Sequence, residues 1–467
     1  MHSFDEKTST SEQHLYDGQP WYRGLTGYHW FVLAVAALGW LFDTMDQQLF
    51  LLARMPAVTE LMNMSPSDPD LQFYGGIATM IFMFGWATGG ICFGVLGDRI
   101  GRAKTMLITI LMYSVFTGLS ALSVSIWDFA FYRFLTGLGV GGEFAVGVAL
   151  VAEVMPDRAR THALGWLQAL SAVGNMTAAL INIGLGMNPE VVETTGVSAW
   201  RLMFVIGAVP ALLAIVIRWW LREPERWKAA VSEEEGDSKR IGSYGELFGD
   251  PRWRKNAIIG LLLSAPGIIG LWGIGFYSFE LVRMVFRQTF EAQGLTAAEV
   301  NAKLTYWVGI MSLVQNLGAF FGIYSFSKIT NYLGRRPTFA LAFAMALLST
   351  AMTFWFLNSF ADVFWMIPLM GFFQLSLFGG YAIYFPELFP TRLRSTGISF
   401  CYNVGRYVAA VGPLTIGLLA SRVYHHHESV EAGLSLRYAG VTMCSFFLLG
   451  LLVLPFAPET KGKPLPE

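Results

Sequence analysis

Five ionisable side chains stand inside otherwise apolar stretches: Asp43, Asp46, Arg133, Glu143 and Arg406. A buried charge costs free energy unless it is paired or neutralised, so each needs an account. Asp43 and Asp46 are three apart and share one helix face. Two carboxylates that close repel, and one can then bind and release a proton. Glu143 follows Gly139-Val140-Gly141-Gly142, and such glycines let a neighbouring helix approach and bury what lies beside them. Arg133 lies about 15 Å earlier on the same helix, too far to touch Glu143 along it. The chemistry of these four is reversible proton binding. The structural alternatives are a cap or pair for the acids and a snorkelling side chain for Arg133.

Arg406 stands in Cys401-Tyr402-Asn403-Val404-Gly405-Arg406-Tyr407, about 22 Å beyond Thr391 by helix rise. A permanently charged guanidinium there requires an anion, and its fork matches a carboxylate. That anion is either a bound carboxylate or an internal Asp or Glu, with Asp43 and Asp46 as candidate partners. Gln168, Asn175, Tyr277, Gln315, Asn316, Gln374, Tyr402 and Asn403 are the polar side chains expected to join Arg406 around a binding cavity. Each alone serves equally well to hold two helices together. Asp98, Arg99 and Arg102, then Glu153, Arg158 and Arg160, then Glu387, Arg392 and Arg394 sit at the ends of apolar runs. Ion pairs among them can latch one state of a two-state molecule. Glu280, Arg283 and Arg287 read as interface charges. His425-His426-His427 has no companion ligands, so no metal and no cofactor is expected. Cys92, Cys401 and Cys444 read as space-filling thiols.

The elements that position these residues follow from composition. Of 467 residues, 54% are hydrophobic and 14% charged, the net charge is −1, and mean hydropathy is +0.48. A soluble chain carries about 25% charged residues. No basic excess serves nucleic acid, and no nucleophile–base set at depth suggests an enzyme. Forty-nine Gly and fifteen Trp fit helices packed closely in lipid with aromatic anchors. Twelve runs of about 20 apolar residues begin near His29, Leu71, Met106, Ile126, Ala159, Trp200, Asn256, Leu304, Thr338, Ala361, Thr391 and Leu434. The fold class is therefore all-α membrane protein, twelve helices in two six-helix bundles. Of the 32 Lys and Arg, 23 fall at the termini and even-numbered loops, which places both termini in the cytoplasm. The expected division is a cytoplasmic segment 1–28, a bundle 29–221, a central loop 222–255, a second bundle 256–457 and a tail 458–467. The first run reads as an uncleaved anchor. Ser243–Phe248 reads either as an amphipathic surface helix or as solvated linker.

The halves repeat. Gly101-Arg102 recurs as Gly334-Arg335, Glu153…Pro156…Arg158…Arg160 as Glu387…Pro390…Arg392…Arg394, and Pro224-Glu225 as Pro458-Glu459. Internal duplication of this kind marks transporters that bind between repeats. Gly94-Val-Leu-Gly97-Asp98-Arg99-Ile-Gly101-Arg102-Ala-Lys104 resembles the loop signature of the major facilitator superfamily. Arg133-Phe-Leu-Thr-Gly137-Leu-Gly139 is similar to its fourth-helix motif. The Glu153 and Glu387 runs and Pro458-Glu459-Thr460-Lys461-Gly462 resemble the signatures of its sugar-porter and organic-ion branches. In the second half Asn331 and Tyr332 stand where Asp98 and Arg99 would be. Sugar porters carry a Gln-rich pattern on the seventh span, where this chain has Ile268-Ile-Gly-Leu-Trp-Gly-Ile-Gly-Phe-Tyr277. The resemblance thus implies a transporter nearest the aromatic-acid and metabolite:proton symporters. The expected activity is proton-coupled alternating access for a small organic anion, by a monomer in the inner membrane. The alternatives are a sugar or polyol porter, or a proton-antiport exporter of amphiphiles.

Overall fold

The computed structural model describes residues 20–64, 70–187, 189–234, 241–275, 277–409, 412–424, 426 and 433–466. His425 and His427 lie outside the described residues. Twelve helices form the body of the protein: α1 Gly27–Met62, α2 Asp70–Arg99, α3 Arg102–Ser120, α4 Ile126–Val154, α5 Asp157–Met187 and α6 Ala199–Gly207 with Ala211–Trp220. The second bundle contains α7 Pro251–Ile268 with Ile269–Gly275 and Tyr277–Ala292, α8 Ala297–Leu333, α9 Arg335–Phe356 and α10 Phe360–Tyr384. It closes with α11 Arg394–Ala409 and Gly412–Val423, and α12 Leu434–Met443 with Phe446–Val453. Among the described residues, eleven of them are long and apolar enough to cross a membrane; α11 is described in two pieces, up to Ala409 and from Gly412.

Local chemistry sets the helix ends. Thr26, Ser125, Thr296 and Ser359 cap α1, α4, α8 and α10 in reciprocal capping boxes. The eighth helix begins at Ala297 rather than near Leu304 because the Thr296–Glu299 box starts it in a polar turn. Asp250 caps α7 with Pro251 in its first turn, so α7 starts before Asn256. Pro266 precedes the π-helical stretch Ile269–Gly275, as expected where a proline removes one backbone bond.

Within each bundle two helices cross on glycine. A Cβ on Gly85 or Gly89 of α2 would fall 2.2 or 2.0 Å from the carbonyl oxygens of Phe134 and Leu138 in α4. Gly318 and Gly322 of α8 meet Pro368 and Phe372 of α10 in the same way, at 2.0 Å each. The glycines stand 233 apart in sequence and their partners 234, which extends the internal repeat into atomic packing. Gly89→Ala and Gly322→Ala are each expected to cost about 1–3 kcal/mol, because the opposing atom is backbone and cannot rotate away. A thermal melt in detergent checks this, and an unchanged Tm would show that the helices can separate at no cost.

Both described chain ends lie on one face, here the terminal face: Trp21 stacks on His162 of α5, and Arg394 of α11 donates to the carbonyl of Pro466. The central segment is folded against it. Ser243 caps a short helix, Tyr244–Gly249, whose Leu247 is buried. Tyr244 donates to the Ile91 carbonyl, and Phe248 packs edge-on against Phe400. The segment read as surface helix or solvated linker is therefore docked on the protein. The repeat is also two residues off at its last match. Glu223, rather than Glu225, is the counterpart of Glu459: Glu223 accepts from the amides of Ala103 and Lys104, and Glu459 from those of Arg335 and Arg336. Each acid thus sits at the N-terminus of a helix, where negative charge is favoured.

Candidate functional site

Asp43, Asp46, Arg133 and Glu143 are all buried within the first bundle. Asp46 accepts a 2.6 Å bond from Thr117 of α3 and lies 3.6 Å from Nη1 of Arg133 on α4. The rest of that guanidinium donates to Ser120, Thr117 and the Phe116 carbonyl, and it stacks 4.6 Å from the Phe204 ring. Arg133 thus does not snorkel to an interface. It is fixed as the partner of Asp46, which sequence spacing had set against Asp43.

Asp43 has a different neighbour. Neither of its oxygens has a hydrogen-bond partner, and no cation forms an ion pair with it among the described residues. One turn earlier on α1, Gly39 leaves room for the Glu143 carboxyl: a Cβ there would sit 2.4 Å from Oε1. Glu143 accepts a 2.6 Å bond from Thr109 on its other oxygen, and Oε1 is unpartnered. Asp43 of α1 and Glu143 of α4 are thus two buried carboxyls beside one stretch of α1, neither in an ion pair among the described residues. Burying them ionised costs several kcal/mol, and a bound proton removes that cost.

An aromatic stack connects this cluster to the space between the bundles. Trp40 packs against Phe144 at 4.9 Å, and Phe144 lies 3.9 Å from the Tyr402 ring. Arg406 lies 4.3 Å over Tyr402 and 3.9 Å over Trp86 of the opposite bundle. Its Nη1 donates to the Tyr402 carbonyl at 2.6 Å and to Asn403 Oδ1 at 3.0 Å, while Nε has no partner. No carboxylate forms an ion pair with Arg406 among the described residues. The cavity there holds about 730 Å³ of empty space, its mouth included, and draws on α1, α2, α5, α7, α8, α10 and α11.

Six of the nine predicted cavity residues line it: Arg406, Gln168, Asn175, Gln315, Asn316 and Tyr402. Asn175 donates to Asn316 across the bundles at 3.0 Å. Three do not line it. Gln374 is turned to Thr350 at 2.8 Å, Asn403 bonds the Gly141 carbonyl and supports Arg406, and Tyr277 lies outside the lining. Trp40, Trp86 and Trp272 line the cavity and were not anticipated. Trp40 and Trp86 stand about 20 Å from the terminal ends of α1 and α2 by helix rise, too deep for interface anchors.

The loop charges form a third cluster at the terminal face. Glu153 takes two bonds from Arg102, at 3.1 and 2.9 Å, and one from Arg394 of the other bundle at 2.9 Å. Asp98 pairs with Arg102 at 3.0 Å and accepts from the amides of Ser395 and Thr396 at the start of α11. Arg102 also donates to the Thr391 carbonyl. In the second half Glu387 pairs with Arg335 and accepts from Thr460, and Arg335 reaches Thr161 of the first bundle. Arg335 was absent from the predicted latch set, although its repeat position opposite Arg102 marks it. Asn331, standing where Asp98 would be, bonds His162 instead. Arg392 pairs with Glu246 of the docked central helix, Arg160 with Asp157 and the Ala152 carbonyl, and Arg99 reaches the Ile241 carbonyl at 3.4 Å. Arg158 is half-buried on the first turn of α5.

A family profile described as the Major Facilitator Superfamily matches residues 30–413. The chain belongs to this superfamily. Its members are transporters, so this protein is a multi-pass membrane transporter rather than an enzyme. A Haemophilus influenzae protein whose provisional name is metabolite transport protein is 29% identical over 94% of this chain and 99% of its own length. The cis,cis-muconate transport protein of Acinetobacter baylyi is 28% identical over 83% of this chain and 86% of its own. Among solved structures, the proton:xylose symporter XylE shares the fold with a TM-score of 0.71 at 18% identity, over 94% of this chain and 98% of that one.

In a facilitator-superfamily transporter a bridged face must open for release, which gives the terminal cluster a measurable consequence. Glu153→Gln leaves Arg102 with Asp98 alone and takes from Arg394 its one ion pair among the described residues, a loss of about 3–5 kcal/mol to the closed face. A Ser395→Cys reporter, buried in the closed arrangement and placed in a Cys92→Ser background, is expected to label faster when Glu153→Gln is added. Unchanged labelling would mean that the cluster does not hold this face shut.

Proposed function

We propose that the protein is a proton-coupled symporter of a small organic anion, a carboxylate metabolite with aromatic acids included. The observation that carries this reading is Arg406: a buried guanidinium on the cavity wall, held from behind by Tyr402 and Asn403, with Nε unpartnered and no carboxylate paired to it among the described residues. A planar fork backed by two aromatic rings suits a carboxylate with an unsaturated or aromatic body. The muconate name of one relative is in keeping with that class. Asp43 and Glu143 are the proposed proton carriers, and Asp46–Arg133 the pair that moves with them. Residues 29–221 and 256–457 act as the two rocking halves around the cavity, with the terminal cluster as the gate on one side. The Lys and Arg bias supports cytoplasmic termini and central segment, in an inner-membrane protein acting as a monomer.

The test is uptake into proteoliposomes of a labelled panel containing aromatic and short-chain carboxylates, hexoses and a cationic dye, with and without an inward proton gradient. Gradient-driven accumulation of a carboxylate is the expected result. Hexose uptake, or dye movement only in exchange for protons, would overturn the anion-symport reading and leave Arg406 an internal charge.

A further inference from the structure

A second cavity lies away from the substrate site, at the terminal face between the start of α7 and the tail after α12, with about 1160 Å³ of empty space, its mouth included. Arg252, Lys255 and Lys463 converge on it. Arg252 and Lys255 are three apart on the first turn of α7 and share a face. None of the three forms an ion pair among the described residues. The carboxylates of the wall are already engaged: Glu387 by Arg335 and Thr460, and Glu459 by backbone amides at the start of α9 and in its own turn. The cavity therefore presents three cations without an ion pair among the described residues, Arg252 lying over the Trp253 ring, against the single charge of Glu459, a net positive site.

Its rim is apolar. Phe456, which lines the cavity, and Leu452 one turn before it are exposed, as is Ile258 on the adjacent α7. On membrane-spanning helices that exposed stripe faces acyl chains. Charge bias between the two sides of a membrane would spread cations over loops. It does not account for three such cations meeting at one cavity flush with a lipid-facing stripe. We infer that this cavity binds a phosphate-bearing anionic glycerophospholipid, its phosphate among Arg252, Lys255 and Lys463 and its chains along Phe456, Leu452 and Ile258. The shared chemistry is the phosphate group; the apolar stripe favours the lipid over free phosphate as its source.

Native mass spectrometry of the full-length protein, loaded with phosphatidylglycerol or phosphatidylcholine, tests this. Phosphatidylglycerol adducts are expected to dominate, and R252Q/K255Q/K463Q to retain at least about tenfold less of that lipid. Lys463→Gln alone, in the tail outside any helix, is expected to lower retention without touching the fold. R287Q, which removes an exposed cation at the far end of α7, is expected to change nothing. Equal retention by the triple variant, equal binding of phosphatidylcholine, or an equal loss in R287Q would each overturn the site. Displacement of the lipid by excess inorganic phosphate would make it a free-phosphate site and overturn the lipid assignment.

Discussion

Arg406→Lys is expected to weaken substrate binding by at least about 30-fold, and Arg406→Ala by as much or more, because a buried charge-assisted contact of this kind is worth about 2–5 kcal/mol. Lysine keeps the charge but loses both features that the surroundings select. It has no plane to lie between the Trp86 and Tyr402 rings, and no second nitrogen to contact the substrate while the first is held by the Tyr402 carbonyl and Asn403. Equilibrium binding of the carboxylate found in the uptake panel gives the affinity. Thermal stability separates the two accounts of Arg406. As a substrate ligand it is a buried, unpaired charge in the empty protein, so its removal leaves Tm unchanged or higher. As an internal structural charge, its removal would lower Tm and leave affinity intact. Asn403→Ala is expected to give the same direction at smaller size, since it frees the guanidinium to swing.

The architecture was legible because lipid imposes one length on every span and because the repeat fixes which loops correspond. The depth of each charge was legible for the same reason, by counting along a helix. Partners were not. Spacing on one helix can only propose neighbours three or four residues away, which is why Asp43 was set against Asp46. The actual partners come from other helices: Arg133 from α4 and Thr117 from α3 reach Asp46, and Glu143 reaches α1 over Gly39. The signal that could have found the last contact was Gly39 itself, one turn before Asp43. Asn403, three residues before Arg406 on the same helix, was placed on the cavity wall when its position makes it a support for the guanidinium. Trp40 and Trp86 were read with the interface anchors, although their depth sets them apart.

The division of labour among the buried acids leads to the second large effect. Asp43→Asn and Glu143→Gln are each expected to abolish uphill accumulation while leaving substrate exchange in place. Neither residue holds an ion pair among the described residues, so neutralising it strands none of their cations, and an amide fills nearly the same volume. With one proton per cycle, an inward gradient of one pH unit drives about tenfold accumulation, about 1.4 kcal/mol. The variants are expected to stop near equal concentrations inside and out. Asp46→Asn must behave differently. It strands Arg133, enclosed by Thr117, Ser120 and the Phe204 ring, at a cost of about 3–5 kcal/mol, so it is expected to lower stability and slow exchange as well as accumulation. The discriminating measurement is the ratio of gradient-driven accumulation to counterflow exchange for the three variants side by side. If Asp43→Asn and Glu143→Gln both still accumulate substrate about tenfold, the transported proton does not ride on this pair, and the Asp46–Arg133 pair becomes the place to look. If only one of them does, the other carboxyl carries the proton alone, and Gly39 is there to bury it.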